Sequence, residues 1–189
     1  MWNKPGTTGR RRKSALGLAA VLLALLVTTG CVSSPGSARI DSRVTTGKPA
    51  SMDNILVAVS SSAGGLEAEK QLLNDSLISG LRQTGMFTAV SGNQSGLGDG
   101  DGIKLAVEIT AIKTVSDNAR EWAGALAGRA SIALRASVDD LKTGKTVELF
   151  VVDGRSGKSA FAGTTNEAIQ RAARQVVAEM VKLNAQSAQ

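Results

Sequence analysis

Two stretches of strict alternation constrain this chain most. In Ile103 to Thr110, Ile103, Leu105, Val107 and Ile109 fall on one side, and Lys104, Glu108 and Thr110 on the other. Ala130 to Val138 repeats the pattern, with Ile132, Leu134, Ala136 and Val138 set against Ser131, Arg135 and Ser137. A period of two marks a strand buried on one face. A slip of one residue would turn every apolar side chain to water, so such strands need a sheet with one covered face. The turn Thr143-Gly144-Lys145 and the run Thr146 to Val152 add a hairpin partner to the second stretch.

The cover is legible as two helices. Leu66, Leu73, Leu77 and Leu81 share one face of a helix expected from about Leu66 to Thr84, with Gly85 as its stop. Thr164 and Glu167 match a capping box, Thr164 as N-cap and Glu167 at N3. The helix that follows runs to about Asn184. Ile169, Ala172, Ala173, Val176, Val177 and Met180 form its apolar stripe, with Arg171, Arg174 and Glu179 expected in water. Ile55 to Val59 and Met86 to Val90 read as short strands. The expected fold is α+β: one two-layer domain over 55–184, with a mostly antiparallel sheet of about five strands and two main helices on one face. A polar tail, 185–189, follows.

The N-terminal region has a different design. Lys4, Arg10, Arg11, Arg12 and Lys13 precede an apolar run from Ala15 to Val27, and no acidic residue occurs before Cys31. A positive segment and then a short apolar one is the order of a secretory signal. The run is shorter than the roughly 20 apolar residues that span a bilayer. Thr29-Gly30-Cys31 closes it. Small residues before a lone cysteine resemble the lipobox of bacterial lipoproteins, with Thr28 standing where that pattern usually has Leu. The resemblance implies a signal peptide over 1–30 and lipidation of Cys31. With Val32 rather than Asp next, it also implies an outer-membrane destination facing the periplasm. Residues 31–54, rich in Ser, Thr, Gly and Pro, read as the acylated cysteine and a flexible tether.

Composition narrows the chemistry. Five of the 22 basic residues precede Cys31 and all 16 acidic ones follow it, so the chain from Cys31 onward is near neutral at +1. No basic patch for nucleic acid is visible. There is no histidine, no tyrosine and one cysteine. That removes histidine-based general base catalysis and the common histidine metal sites. The sequence calls for no cofactor and no metal. Ser62-Ala63-Gly64-Gly65 lacks a nucleotide-binding fingerprint. Asp99-Gly100-Asp101 lacks the ligand spacing of a calcium loop. Asp139 and Asp140 are adjacent, so on a strand they point to opposite faces and read as the entry to a turn.

The most distinctive insertion lies between the two alternating strands, Lys113 to Arg129, which is long for a hairpin loop. Trp122 sits there among Ala and Gly. It could pack on the domain edge, enter a membrane surface or meet a partner. Arg120, Trp122 and Arg129 are the candidate partner contacts.

Ala127-Gly128-Arg129-Ala130-Ser131, the alternating strand after it, Asp139-Asp140-Leu141-Lys142-Thr143-Gly144-Lys145 and the Ala-rich last helix resemble an uncharacterised family of bacterial lipoproteins built on a domain of unknown function. The fold order is also similar to small periplasmic lipoprotein domains such as penicillin-binding protein activators. Neither resemblance brings catalytic residues. The expected role is a membrane-anchored, non-catalytic interaction or assembly module of the cell envelope. It would be held on the membrane by its lipid and would meet an envelope protein. The alternative is a carrier of a small ligand or lipid, which asks for a large apolar cavity.

Overall fold

The computed structural model describes residues 34–96, 101–115, 128–157 and 163–187, all within one compact unit, Ser33–Gln189. Six strands form one sheet. They are β1 (Ser37–Thr45), β2 (Asn54–Ser61), β3 (Ala89–Ser91), β4 (Ile103–Lys113), β5 (Ser131–Asp140) and β6 (Thr146–Arg155). Helix α1 (Glu67–Gln83) links β2 to β3, and α2 (Thr165–Ser187) ends the described chain. The strand order is β1-β6-β5-β4-β2-β3.

The sheet has six strands rather than about five, and it is mixed. The β4–β5, β5–β6 and β1–β6 pairs are antiparallel, whereas β2 pairs parallel with both β3 and β4. The parallel β2–β3 pair follows from α1, because a helical crossover returns the chain in the same direction. The extra strand, β1, lies inside the segment expected as a tether. Nearly all of its side chains are exposed. An edge strand with one partner needs little apolar content, so its sequence looks like a linker.

The alternating stretches behave as their period demands. Ile103, Leu105, Val107 and Ile109 of β4 and Ile132, Leu134, Ala136 and Val138 of β5 are buried in one cluster. Leu73, Leu77 and Leu81 of α1 and Ile169, Ala172, Val176, Met180 and Leu183 of α2 join them. Close approach sets one sequence requirement. A Cβ on Gly154 of β6 would lie 2.7 Å from the Ala168 carbonyl oxygen and 2.8 Å from Ala172 Cβ. Only glycine lets α2 sit so near the sheet.

The helix ends follow their signals. The Thr164 hydroxyl accepts a hydrogen bond from the Glu167 N–H at 3.1 Å. The Glu167 carboxylate, however, turns to Arg171 Nε at 2.9 Å and the Gly157 N–H at 3.3 Å. Gly85, at φ +65°, ends α1. No helix among the described residues is long and apolar enough to cross a membrane.

Glu179 departs from its expected place in water and is buried. It lies three residues beyond Val176 and seven beyond Ala172, within the apolar stripe. It meets a second buried acid. Glu148 faces the core because one extra residue of β6, Val147, shifts the register between Val138 and Asp139. Arg43, from β1, serves both. Its Nη2 donates to Glu148 Oε2 at 3.1 Å, and its Nη1 donates to Glu179 Oε2 at 3.3 Å. Arg43 Nε is 3.0 Å from Glu148 Oε1 but makes no directional hydrogen bond to it, so that contact is ionic. Lys182 Nζ at 2.6 Å and Gln175 Nε2 at 3.2 Å complete the shell of Glu179. One guanidinium thus fastens the edge strand to the helix layer.

Candidate functional site

The turn between β5 and β6 carries the densest polar cluster. Asp140 closes β5 and is buried. Its Oδ1 accepts from the Thr143 N–H at 2.7 Å and the Thr143 hydroxyl at 3.0 Å, and its Oδ2 accepts from the Ala50 N–H at 2.7 Å. The Ala50 hydrogen bond, then that of Thr143, hold its carboxyl below the usual aspartate range. Gly144 at φ +67° lets the chain turn back. Asp139, on the other face, accepts from the Thr146 hydroxyl at 2.6 Å. Lys142 donates to Asp101 at 2.8 Å, and that carboxylate raises the lysine pKa.

The Asp-x-x-Thr-Gly-Lys pattern is therefore a staple. It folds the hairpin turn and clips residues 46–50 to it, and the oxygens of Asp140 are committed to donors. A cavity of about 540 Å³ lies beside it, with Lys48 and Lys145 at its wall. This cluster builds structure and offers no activated nucleophile.

The second candidate is the face of the sheet opposite the helices. The register aligns Val44, Leu149, Ser137, Ala106 and Ala58 in one row across β1, β6, β5, β4 and β2. Leu149 is 37% and Val44 55% exposed. Small residues flatten the row's other half. Beside it Arg135 and Glu108 pair at 3.5 Å and, with Leu149 and Ser60, border a shallow hollow of about 240 Å³. This face is apolar at its β1–β6 side, with a charged pair at its border.

Of the residues singled out from the sequence, Cys31, Arg120 and Trp122 lie outside the described residues. Arg129 is half-buried, and its Nη2 donates to the Ser34 hydroxyl. The sequence reading passed over Leu149 and Val44. Leu149 carried no distinct signal, since it opens the continuous apolar run Leu149-Phe150-Val151-Val152, in which neither parity marks the exposed face. Val44 carried none while β1 read as a tether.

A single mixed sheet backed by two helices defines a small α+β domain. The chain belongs to the family described as Domain of unknown function (DUF4410), whose model matches residues 50–160. No curated protein matches it. Among solved structures it is similar to the PelC dodecamer from Paraburkholderia phytofirmans, with 10% identity, coverage of 77% of this chain and 96% of that one, and a TM-score of 0.50. The protein CT253 from Chlamydia trachomatis gives 13% identity, 70% and 98% coverage, and a TM-score of 0.49. A candidate lipoprotein from Caulobacter crescentus CB15 gives 17%, 70% and 90%, and 0.38. At these identities the PelC likeness bears on the fold alone, and the two lower scores carry no argument.

Proposed function

We propose that this chain is a lipid-anchored protein of the bacterial envelope whose α+β domain is a non-catalytic interaction or assembly module. The observation that carries the reading is the in-register row from Val44 and Leu149 to Ala58, apolar and exposed at its β1–β6 end, on the face away from the helices. The anchor rests on Thr29-Gly30-Cys31. A carrier would need a large apolar cavity, whereas two hollows of about 540 and 450 Å³ among the described residues have Lys48, Asp140 and Lys145, or Arg174, Gln170 and Gln83, in their walls. PelC forms a dodecamer. Contact with further copies of this chain is one form the module could take.

The test uses a photo-crosslinking residue at position 149 of the chain in intact cells, with position 142 as control. The reading expects a discrete adduct from 149 alone, and a fatty-acid label taken up by the parent chain but not by Cys31→Ala. Equal labelling from both positions refutes the contact face. A parent chain that takes up no fatty-acid label refutes the anchor.

A further inference from the structure

The described chain begins already docked. The Ser34 hydroxyl accepts from Arg129 Nη2. Gly36 is wedged so tightly that a Cβ there would lie 2.6 Å from the Arg155 carbonyl oxygen and would strike the Arg171 side chain. A Cβ on Gly157 would lie 3.3 Å from both the Gly36 nitrogen and the Ser34 oxygen. At Ser37 the chain enters β1, paired with Arg155. No slack segment separates Ser34 from the domain.

Three peptide units join Cys31 to Ser34. Whatever path they take, they span at most about 11 Å. Acyl chains on Cys31 lie in the hydrocarbon, and the headgroup layer above is itself roughly 5–7 Å deep. Accepting the lipid anchor of the proposed function, we infer that the domain stands on the bilayer rather than swinging from it. The contact surface is the end of the sheet formed by Ser34, Arg129 and the Ser37–Arg155–Ser131–Lys113 row, and its partner is a phospholipid surface.

The chemistry of that end fits. Lys113 and Arg129 are cations with no carboxylate partner among the described residues, whereas Arg171 is held by Glu167 and Arg155 faces Asp153. Cations held at an anionic lipid surface are attracted to it.

The orientation has a second half. Ile103 pairs with Asp140 at the far end of β4, ten residues from Lys113. At a strand rise of about 3.3 Å per residue, the Thr143-Gly144-Lys145 turn stands roughly 33 Å further along the sheet than Lys113. It would point away from the membrane.

The experiment uses the full acylated chain in vesicles of phosphatidylcholine with one quarter phosphatidylglycerol, carrying a headgroup-attached quencher. A fluorophore is placed at Ser37→Cys in one preparation and at Lys145→Cys in another. The expected result is severalfold stronger quenching at 37 than at 145. Equal quenching in chains that float with the vesicles overturns the inference and leaves the anchor standing. Chains that fail to float overturn the anchor and the inference together.

Discussion

Arg43 is the side chain on which the edge strand depends, and Arg43→Met tests this. The substitution keeps the length of the aliphatic stem but removes the charge between two carboxylates whose side chains are 0% and 3% exposed. Glu179 retains Lys182 and Gln175, whereas Glu148 loses its only partner among the described residues. Removing one member of a buried ion pair typically costs 3–5 kcal/mol. The Arg43 side chain is itself 30% exposed, so water reaches the pair and the lower limit, about 3 kcal/mol, applies. In urea, with a slope of about 2 kcal/mol/M, the unfolding midpoint should fall by about 1.5 M. The double variant Arg43→Met with Glu148→Leu should recover most of this, because replacing both members of a buried pair by apolar groups is often close to neutral. The assay is equilibrium urea denaturation followed by circular dichroism. An Arg43→Met midpoint within experimental error of the parent refutes the reasoning, as does a double variant less stable than the single.

Two further outcomes follow from the packing and the turn. Gly154→Ala forces a methyl against the Ala168 carbonyl and Ala172, and overpacking of this kind should lower stability by about 1–3 kcal/mol, read by thermal melting. Asp140, with its carboxyl held below the usual range, stabilises the fold in its ionised form. That contribution is complete above the unfolded-state value of about 3.9 and is lost as pH falls through the lower folded-state value. Asp140→Asn should therefore be less stable than the parent at neutral pH, and the gap should narrow as pH drops below about 4, measured as melting temperature against pH.

Strands β4 and β5 were legible in the sequence because one face is buried and the other is not, so Ile103 to Ile109 and Ile132 to Val138 alternate, with the small Ala106 and Ala133 as the apolar residues on the outer face. The N-cap of α2 and the stop of α1 were legible from local chemistry: Thr164 holds the Glu167 N–H as its spacing implies, and Gly85 takes the left-handed conformation that ends the helix. What escaped notice depends on distant partners. Glu179 has the position of a core residue and the chemistry of a surface one. Its burial makes sense only once Arg43, 136 residues away, is beside it. Strand β1 shows no periodic apolar signal because it has one neighbour. The parallel β2–β3 pair follows from the strand–helix–strand order around Leu73, Leu77 and Leu81, because a helical crossover returns the chain in the same direction. For the candidate site, the Asp140–Thr143 turn was visible as a turn, but its grip on Ala50 was not.

The place of β1 at the sheet edge also sets an order of events. It is the first strand among the described residues, yet its partner β6 lies about 105 residues downstream, counted from Arg43 to Glu148. Closing so long a loop comes late in folding. A chain that emerges from its N-terminus onward presents Ser37 to Thr45 well before β6 exists. During that interval the strand is an unpaired edge, open to the wrong neighbour. Arg39, Asp41 and Arg43, spaced every second residue, keep it charged and discourage such pairing. The same arginine that later locks the strand in place thus guards it while it waits.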